Sequence, residues 1–309
     1  MITVLAGGIG AARFLRGLIR AVDPSDVTVI VNVGDDIERH GLHVSPDLDS
    51  ITYWLGGVIH PDQQWGRADE SFAVAGELAR FGADNWFTLG DRDLATHIHR
   101  SMRLREGVPL SAVTEEITRA FGLNVRLLPA TDDPVETRVT TVNGRDLHFQ
   151  QWWVGERAAP AVAGVRLAGA ESAVPAPGVV EAILGAERVL VCPSNPVVSI
   201  GTILAVAGIR DALDATPAPI VGVSPIVGGR VVRGMADRLL PAMGVDVSAI
   251  GVARHYLDWI NGWVLDVRDA ALADDVAALG LAVAVTDTML DDVEVATACA
   301  RTALELAIP

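Results

Sequence analysis

The chain has 309 residues, half of them hydrophobic, so it is long and apolar enough to bury one large core, with or without a smaller lobe. A net charge of −15 argues against a nucleic-acid backbone as partner, while a free nucleotide stays compatible with an acidic protein that keeps a local positive site. All 24 basic residues are arginine, which excludes a P-loop lysine and a lysine Schiff base and leaves phosphate to arginine, backbone amides or a metal. No apolar run is long enough to span a bilayer, so no membrane partner is expected and a cytoplasmic location is. Cys192 and Cys299 have no metal-ligand spacing and read as small buried residues.

In chain order, Ile2–Leu5 is a strand that breaks at Ala6-Gly7-Gly8-Ile9-Gly10 and resumes as a helix over Ala11–Ala21. A second strand, Val27–Val31, empties into Asn32-Val33-Gly34-Asp35-Asp36 and then Ser45-Pro46-Asp47-Leu48-Asp49. Glu70–Phe81 reads as a helix and Asn85–Leu89 as an aromatic strand that stops at Gly90. Leu94–Arg105 and Ser111–Phe121 read as helices, the second with Ser111 as its N-cap. From about 125 to 165 the character turns β-rich. There, Val135–Val142 and Arg145–Trp153 form a hairpin whose Asn143-Gly144 suits a type I′ turn. The alternation returns at Val179 with a strand at Arg188–Val191, a loop Pro193-Ser194-Asn195-Pro196, and a helix Val197–Ala207. Ile220–Val223 is a strand, Arg233–Met243 a helix, Trp263–Asp266 and Ala282–Val285 strands, and about Asp291 to Ala307 a closing helix. This is an α/β pattern: a Rossmann-like, mostly parallel sheet flanked by helices. It forms a single domain with core segments of about 1–124 and 179–309 and a small β-rich insertion over about 125–165.

A glycine turn between a strand and a helix lets backbone N–H groups approach a phosphate, which makes Gly7, Gly8 and Gly10 candidate binding residues. The bland reading is a tight strand-to-helix turn. Gly8-Ile9-Gly10 begins like a dinucleotide fingerprint, but Arg13 stands at the third glycine position and Asn32 where the ribose-binding acid belongs, so NAD is disfavoured. Asp47 and Asp49 could converge on one hard cation such as Mg²⁺, which takes one or two protein carboxylates and completes its shell with water and phosphate oxygens. The competing reading is that one of them caps the apolar stretch Ile51–Leu55. Asp35 and Asp36 read as a solvated turn, although with Asp47 and Asp49 they make up the four carboxylates after the second strand that a metal bound to a phosphate would need.

Gly90-Asp91-Arg92-Asp93 follows a strand and precedes a helix, where open α/β sheets bind ligands. Arg92 could clamp a phosphate with both arms, or belong to a surface ion pair. Ser194 and Asn195 could cap the next helix or present polar groups to a ligand. His97 and His99 stand two apart on one helix, face different sides, and read as packed or solvated. Trp152 or Trp153 could stack on a flat heterocycle or simply pack in the sheet.

Together these loops resemble the 2-phospho-L-lactate transferases of coenzyme F420 biosynthesis. The matching stretches are Leu5–Gly10, Val31–Asp36, Ser45–Asp49, Trp65-Gly66, Leu89–His97, His148–Gln150, Pro193–Pro196, Val223–Ile226 and Gly234–Ala236. The resemblance implies a Rossmann-like core, usually a homodimer, that requires Mg²⁺. It implies transfer of a phosphorylated three-carbon acid from a GDP-activated donor to the terminal ribityl hydroxyl of the deazaflavin Fo, with GMP as leaving group. By resemblance Asp49 and Arg92 are the acceptor-site pair, Asp49 doubling as a metal ligand beside Asp47. Both phosphoenolpyruvyl and 2-phospholactyl donors occur in the family; the lysine-free composition points to a GC-rich bacterium, where the resemblance implies the enolpyruvyl donor. A regulatory nucleotide-sugar-binding protein of the same superfamily is the alternative, and the Gly90–His97 and His148–Trp153 blocks argue against it.

Overall fold

The computed structural model describes residues 1–308. Seven strands form one all-parallel sheet: β1 (Ile2–Ala6), β2 (Val27–Val31), β3 (Arg126–Pro129), β4 (Arg188–Val191), β5 (Ile220–Val223), β6 (Gly262–Asp266) and β7 (Ala282–Thr286). Their spatial order is β3-β2-β1-β4-β5-β6-β7, the Rossmann order extended by one strand. Every residue of β2 and β6 is buried, because helices cover both faces of a parallel sheet; this is why these strands read as unbroken apolar runs. Four helices frame the site or brace the sheet beside it: α1 (Gly8–Ala21), α2 (Pro46–Leu55), α3 (Asp91–Arg105) and α4 (Val293–Glu305). Helix α1 packs on α2 and α4.

The strand order reverses between β1 and β4, which pair from Ile2 with Arg188 to Leu5 with Val191. The two carboxyl ends at this reversal carry Gly7–Gly10 and Pro193–Asn195, so the fold itself opens a crevice between those loops.

Several expectations change. Asn85–Leu89 is irregular and pairs with no strand. Arg126–Pro129 belongs to the edge of the main sheet, where β3 pairs with β2; the insertion is a three-stranded antiparallel sheet of Glu136–Thr141, Asp146–His148 and Val162–Ala168. Its hairpin turn is not type I′: Gly144 has φ +81°, but Asn143 is not among the residues of positive φ. Thr141 N–H donates to Arg145 O at 2.9 Å, giving a three-residue loop with glycine at the left-handed position. Trp152 and Trp153 lie on a π-helical turn, Gln151–Gly155, instead of a strand. Ser111 is not a cap; its N–H and hydroxyl both reach Asp132. Of Arg233–Met243 only Ala236–Leu239 is α-helical. No single helix among the described residues is long and apolar enough to cross a membrane.

Candidate active site

A cleft of about 640 Å³ opens at the reversal of the sheet. Gly7, Gly8, Gly10, Asp47, Asp49, Ser194 and Asn195 all line it, while Arg92 does not. Gly7 N–H donates to Ser194 Oγ at 3.1 Å, tying the loop after β1 to the loop after β4. Asn195 Oδ1 accepts from Val197 N–H at 2.9 Å and so caps its own helical turn. A Cβ on Gly7 would stand 2.6 Å from Ser199 Cβ, and one on Gly10 would stand 2.5 Å from Pro193 O. The crossing is therefore open only to glycine at both positions.

Two carboxylates two residues apart on α2 have opposite surroundings. Asp47 Oδ2 accepts from Asn32 Nδ2 at 2.9 Å, and Asn32 Oδ1 in turn accepts from Gly34 N–H at 2.9 Å. Burial pushes the Asp47 carboxyl up to about 6, with Asn32 and the Gly8 backbone working against that rise. Asp35, expected in a solvated turn, is buried instead; burial and then the charge of Asp47 raise it well above the carboxylate range. Among the described residues Asp35 Oδ1 has no hydrogen-bond partner, its Oδ2 receives Gln150 Nε2 at 3.4 Å, and the Asn32 side chain only partly opposes the rise. Asp36 is likewise held, accepting from Ser45 Oγ at 2.7 Å and lying 2.9 Å from His43 Nε2. The β insertion seals this corner: the His148 ring bridges Asp36 O at 3.0 Å and Gln150 N–H at 3.0 Å, and burial lowers its pKa, which suits a neutral ring.

Asp49 points the other way. Helix geometry turns residues two apart by about 200°, so the pair does not converge on one ion. Both Asp49 oxygens are taken by Arg100 of α3, with Nη1 to Oδ2 at 3.1 Å and Nη2 to Oδ1. Burial opposes the Arg100 charge, yet Asp49 holds it above the usual arginine range. His97 stands between Asp49 Oδ2 (3.6 Å) and Asp93 Oδ1 (3.3 Å), and Tyr53 OH donates to Asp93 at 2.6 Å. Burial would raise Asp93, but His97, Tyr53 and Arg100 hold it below its ordinary value. Asp93, His97 and Arg100 follow i, i+4, i+7 spacing and face Asp49 and Tyr53 at i, i+4. That spacing puts the three side chains on one face of α3, but which helix they meet is set by packing and not by the spacing.

The Gly90–Asp93 block works as a helix start. Glu70 accepts from Arg92 N–H at 2.7 Å and Asp93 N–H at 2.8 Å, so a side chain already occupies the amides of this turn. Asp91 caps the helix Ala73–Arg80, accepting from Ala73 N–H at 3.0 Å and Val74 N–H at 3.1 Å. Arg92 is half exposed and held only loosely, 3.9 Å from Asp69.

The cleft also has an aromatic wall. Trp86, Phe87, Phe149 and Trp153 line it, with Arg39 stacked 4.5 Å over Trp86 and the Phe149 and Trp153 rings 5.3 Å apart. Trp152 is fully buried, and its Nε1 donates to Pro160 O at 2.9 Å.

Fold and site together define a Rossmann-like α/β protein with a glycine- and acid-lined pole and an aromatic pole in one cleft. The chain belongs to the family described as 2-phospho-L-lactate transferase CofD, whose model matches residues 2–301, and it is an enzyme of that transferase type. It is 52% identical to a phosphoenolpyruvate transferase of Streptomyces griseus subsp. griseus, over 99% of this chain and 98% of that one. A protein of the same name from Thermobifida fusca is 51% identical over 99% and 98%. Among solved structures, a UPF0052-family protein of Bacillus halodurans superposes with a TM-score of 0.62 at 16% identity, covering 98% of each chain, a likeness of fold alone.

Proposed function

We propose that this enzyme transfers a phosphoenolpyruvyl group from a GDP-activated donor to the terminal ribityl hydroxyl of Fo, releasing GMP, in coenzyme F420 biosynthesis. The observation that carries the reading is the joining of two poles in one cleft. The polar pole suits a diphosphate, and the Trp86, Phe87, Phe149 and Trp153 wall suits a tricyclic ring, whose burial needs a flat apolar surface. The names of relatives more than half identical favour the enolpyruvyl over the 2-phospholactyl donor.

The residues fit a required Mg²⁺. Asp35 and Asp47 are buried carboxylates without a cationic partner, and Asp35 Oδ1 has no partner at all. They are the pair that would hold the ion, the remaining ligands being water and phosphate oxygens. When bound, the metal neutralises charge on the donor phosphates. The chain's own groups do the positioning. Gly7 and Gly10 let the loop after β1 pack directly against Ser199 and Pro193, and Ser194 keeps the two loops in contact, so the turn at the start of α1 would hold its shape beside the phosphates. Asp49, fixed by Arg100 and lining the cleft, would accept from the acceptor's hydroxyls. Arg92, exposed, loosely paired and outside the cleft lining, would have to turn in to reach the acceptor. In-line attack of the hydroxyl oxygen on the phosphorus that carries the three-carbon acid breaks the anhydride bond to GMP. A loose transition state needs placement and charge neutralisation more than a strong base.

A homodimer is part of the proposal. Phe72, Val74 and Phe81 on and around the helix Ala73–Arg80, with Ile98 and Met102 on the neighbouring α3, are exposed apolar side chains that a second copy would cover. The test of function is mass spectrometry of the product made from Fo with each GDP-activated acid. Fo carrying the phosphoenolpyruvyl group on its terminal ribityl oxygen is expected. No product from either donor would overturn the reading and favour a regulatory binding protein.

A further inference from the structure

The residue that breaks the dinucleotide fingerprint, Arg13, is turned into the cleft wall. Its side chain is buried, its Nη2 pairs with Asp291 at 2.7 Å, and its Nε has no partner. The same Nη2 donates to Gln64 Oε1. Arg233, more than two hundred residues later in the chain, donates to that oxygen through Nη1. Burial, then the nearby charges of Arg233 and Arg16, lower the pKa of Arg13 against the pull of Asp291. Two guanidiniums thus converge on one neutral amide oxygen, an acceptor that does little to offset their repulsion. Gln64 itself sits at φ +63°, a left-handed backbone that glutamine seldom adopts. It is kept there by its N–H donating to His60 O at 2.9 Å and by Trp54 Nε1 donating to its carbonyl at 3.3 Å.

We propose that Arg13 and Arg233 form an oxyanion subsite that takes an acidic group of the donor, and that the Gln64 side chain competes for it and yields when the donor binds. The proposal rests on the transferase reading for the identity of the ligand, not for the existence of the subsite. Planar guanidiniums bind carboxylate or phosphate oxygens through paired N–H groups, and charged acceptors make stronger bonds than an amide. The oxyanion has two sources in the donor, its diphosphate and the carboxylate of its three-carbon acid.

The test is calorimetric titration of the full chain with GDP, with the GDP ester of 2-phospholactate and with inorganic pyrophosphate, in the wild type, Arg233→Gln and Gln64→Glu. Arg233 is exposed, so its replacement spares the core. Gln64→Glu sets a tethered carboxylate between the two guanidiniums. It should raise Tm by a few degrees, on the order of a 1 kcal/mol gain, while weakening ligand binding about tenfold or more. Arg233→Gln should weaken binding about as much without raising Tm. Loss confined to the ester assigns the subsite to the carboxylate; loss with GDP and pyrophosphate as well assigns it to the diphosphate. Affinities within about twofold of wild type in both variants overturn the subsite. If the wild type binds neither guanosine ligand, the transferase reading fails. Pyrophosphate then decides the subsite: binding that depends on Arg233 sustains it, and no such binding refutes it.

Discussion

Asp47 and Asp49 share a helix turn and a cleft, yet one is left without a cation beside it and the other is locked in a buried ion pair. Asp47 touches Asn32 and the glycine turn, and burial drives its pKa up to about 6. Asp49 is gripped by both arms of Arg100. The first arrangement stores a cost that a cation can relieve; the second satisfies its own charges and braces α2 against α3. Proximity of carboxylates in sequence therefore says little about shared duty. What decides is the partner each finds across the fold.

The sharpest way to break this comparison is to remove Arg100. Arg100→Met should cost about 3–5 kcal/mol, because it strands Asp49 as an uncompensated buried charge. Urea denaturation would measure it, and Asp49→Asn should be costly in the same way by stranding Arg100. A change of under about 1 kcal/mol in both would mean that the pair is not a structural brace.

Asp47→Asn should do the reverse. It keeps the shape, removes a disfavoured charge and leaves stability equal or higher. Turnover should fall about a hundredfold or more, since Mg²⁺ would lose one of two protein ligands. Steady-state kinetics across a Mg²⁺ titration would show it.

The pH dependence sharpens the same contrast. A carboxyl raised in the folded state stabilises the fold at low pH, and that contribution is lost as pH rises through the folded value. Without divalent cations, the stability of the wild type relative to Asp47→Asn should therefore decline between about pH 4 and pH 6 and level off above. Adding Mg²⁺ should restore more stability at about pH 7 than at about pH 5, because the ion binds the deprotonated form.

The smallest structural effect belongs to Arg92. Being half exposed and loosely paired, its replacement by Ala should change stability by less than about 0.5 kcal/mol. If it turns in to hold the acceptor, KM for Fo should rise in Arg92→Ala and nearly as much in Arg92→Lys, which lacks the planar fork.

The two regions also differ in how far the sequence can be read. The polar pole is legible because its parts are local: an apolar run, a glycine turn, a helix, and the same grammar again before Ser194. Backbone geometry makes such turns, and backbone geometry follows short stretches of sequence. The central strands and the glycine loops are accessible for that reason. The α2–α3 brace is not, because Asp49 and Arg100 meet only once two helices pack together, and the two residues lie 51 apart in the chain. Asp35 reads as solvated for a related reason: the insertion that buries it, through His148 and Gln150, lies more than a hundred residues away. Asn85–Leu89 reads as a strand because aromatic residues favour both sheets and pocket walls, and here they serve the wall.

The most direct measurement is a crystal soaked with GDP and Mn²⁺, with the metal located by its anomalous scattering. One ion should be held by Asp35 and Asp47 beside the Gly7–Gly10 turn, with the Asp49–Arg100 pair intact. An ion on Asp49 with Arg100 displaced would contradict this division of the two carboxylates.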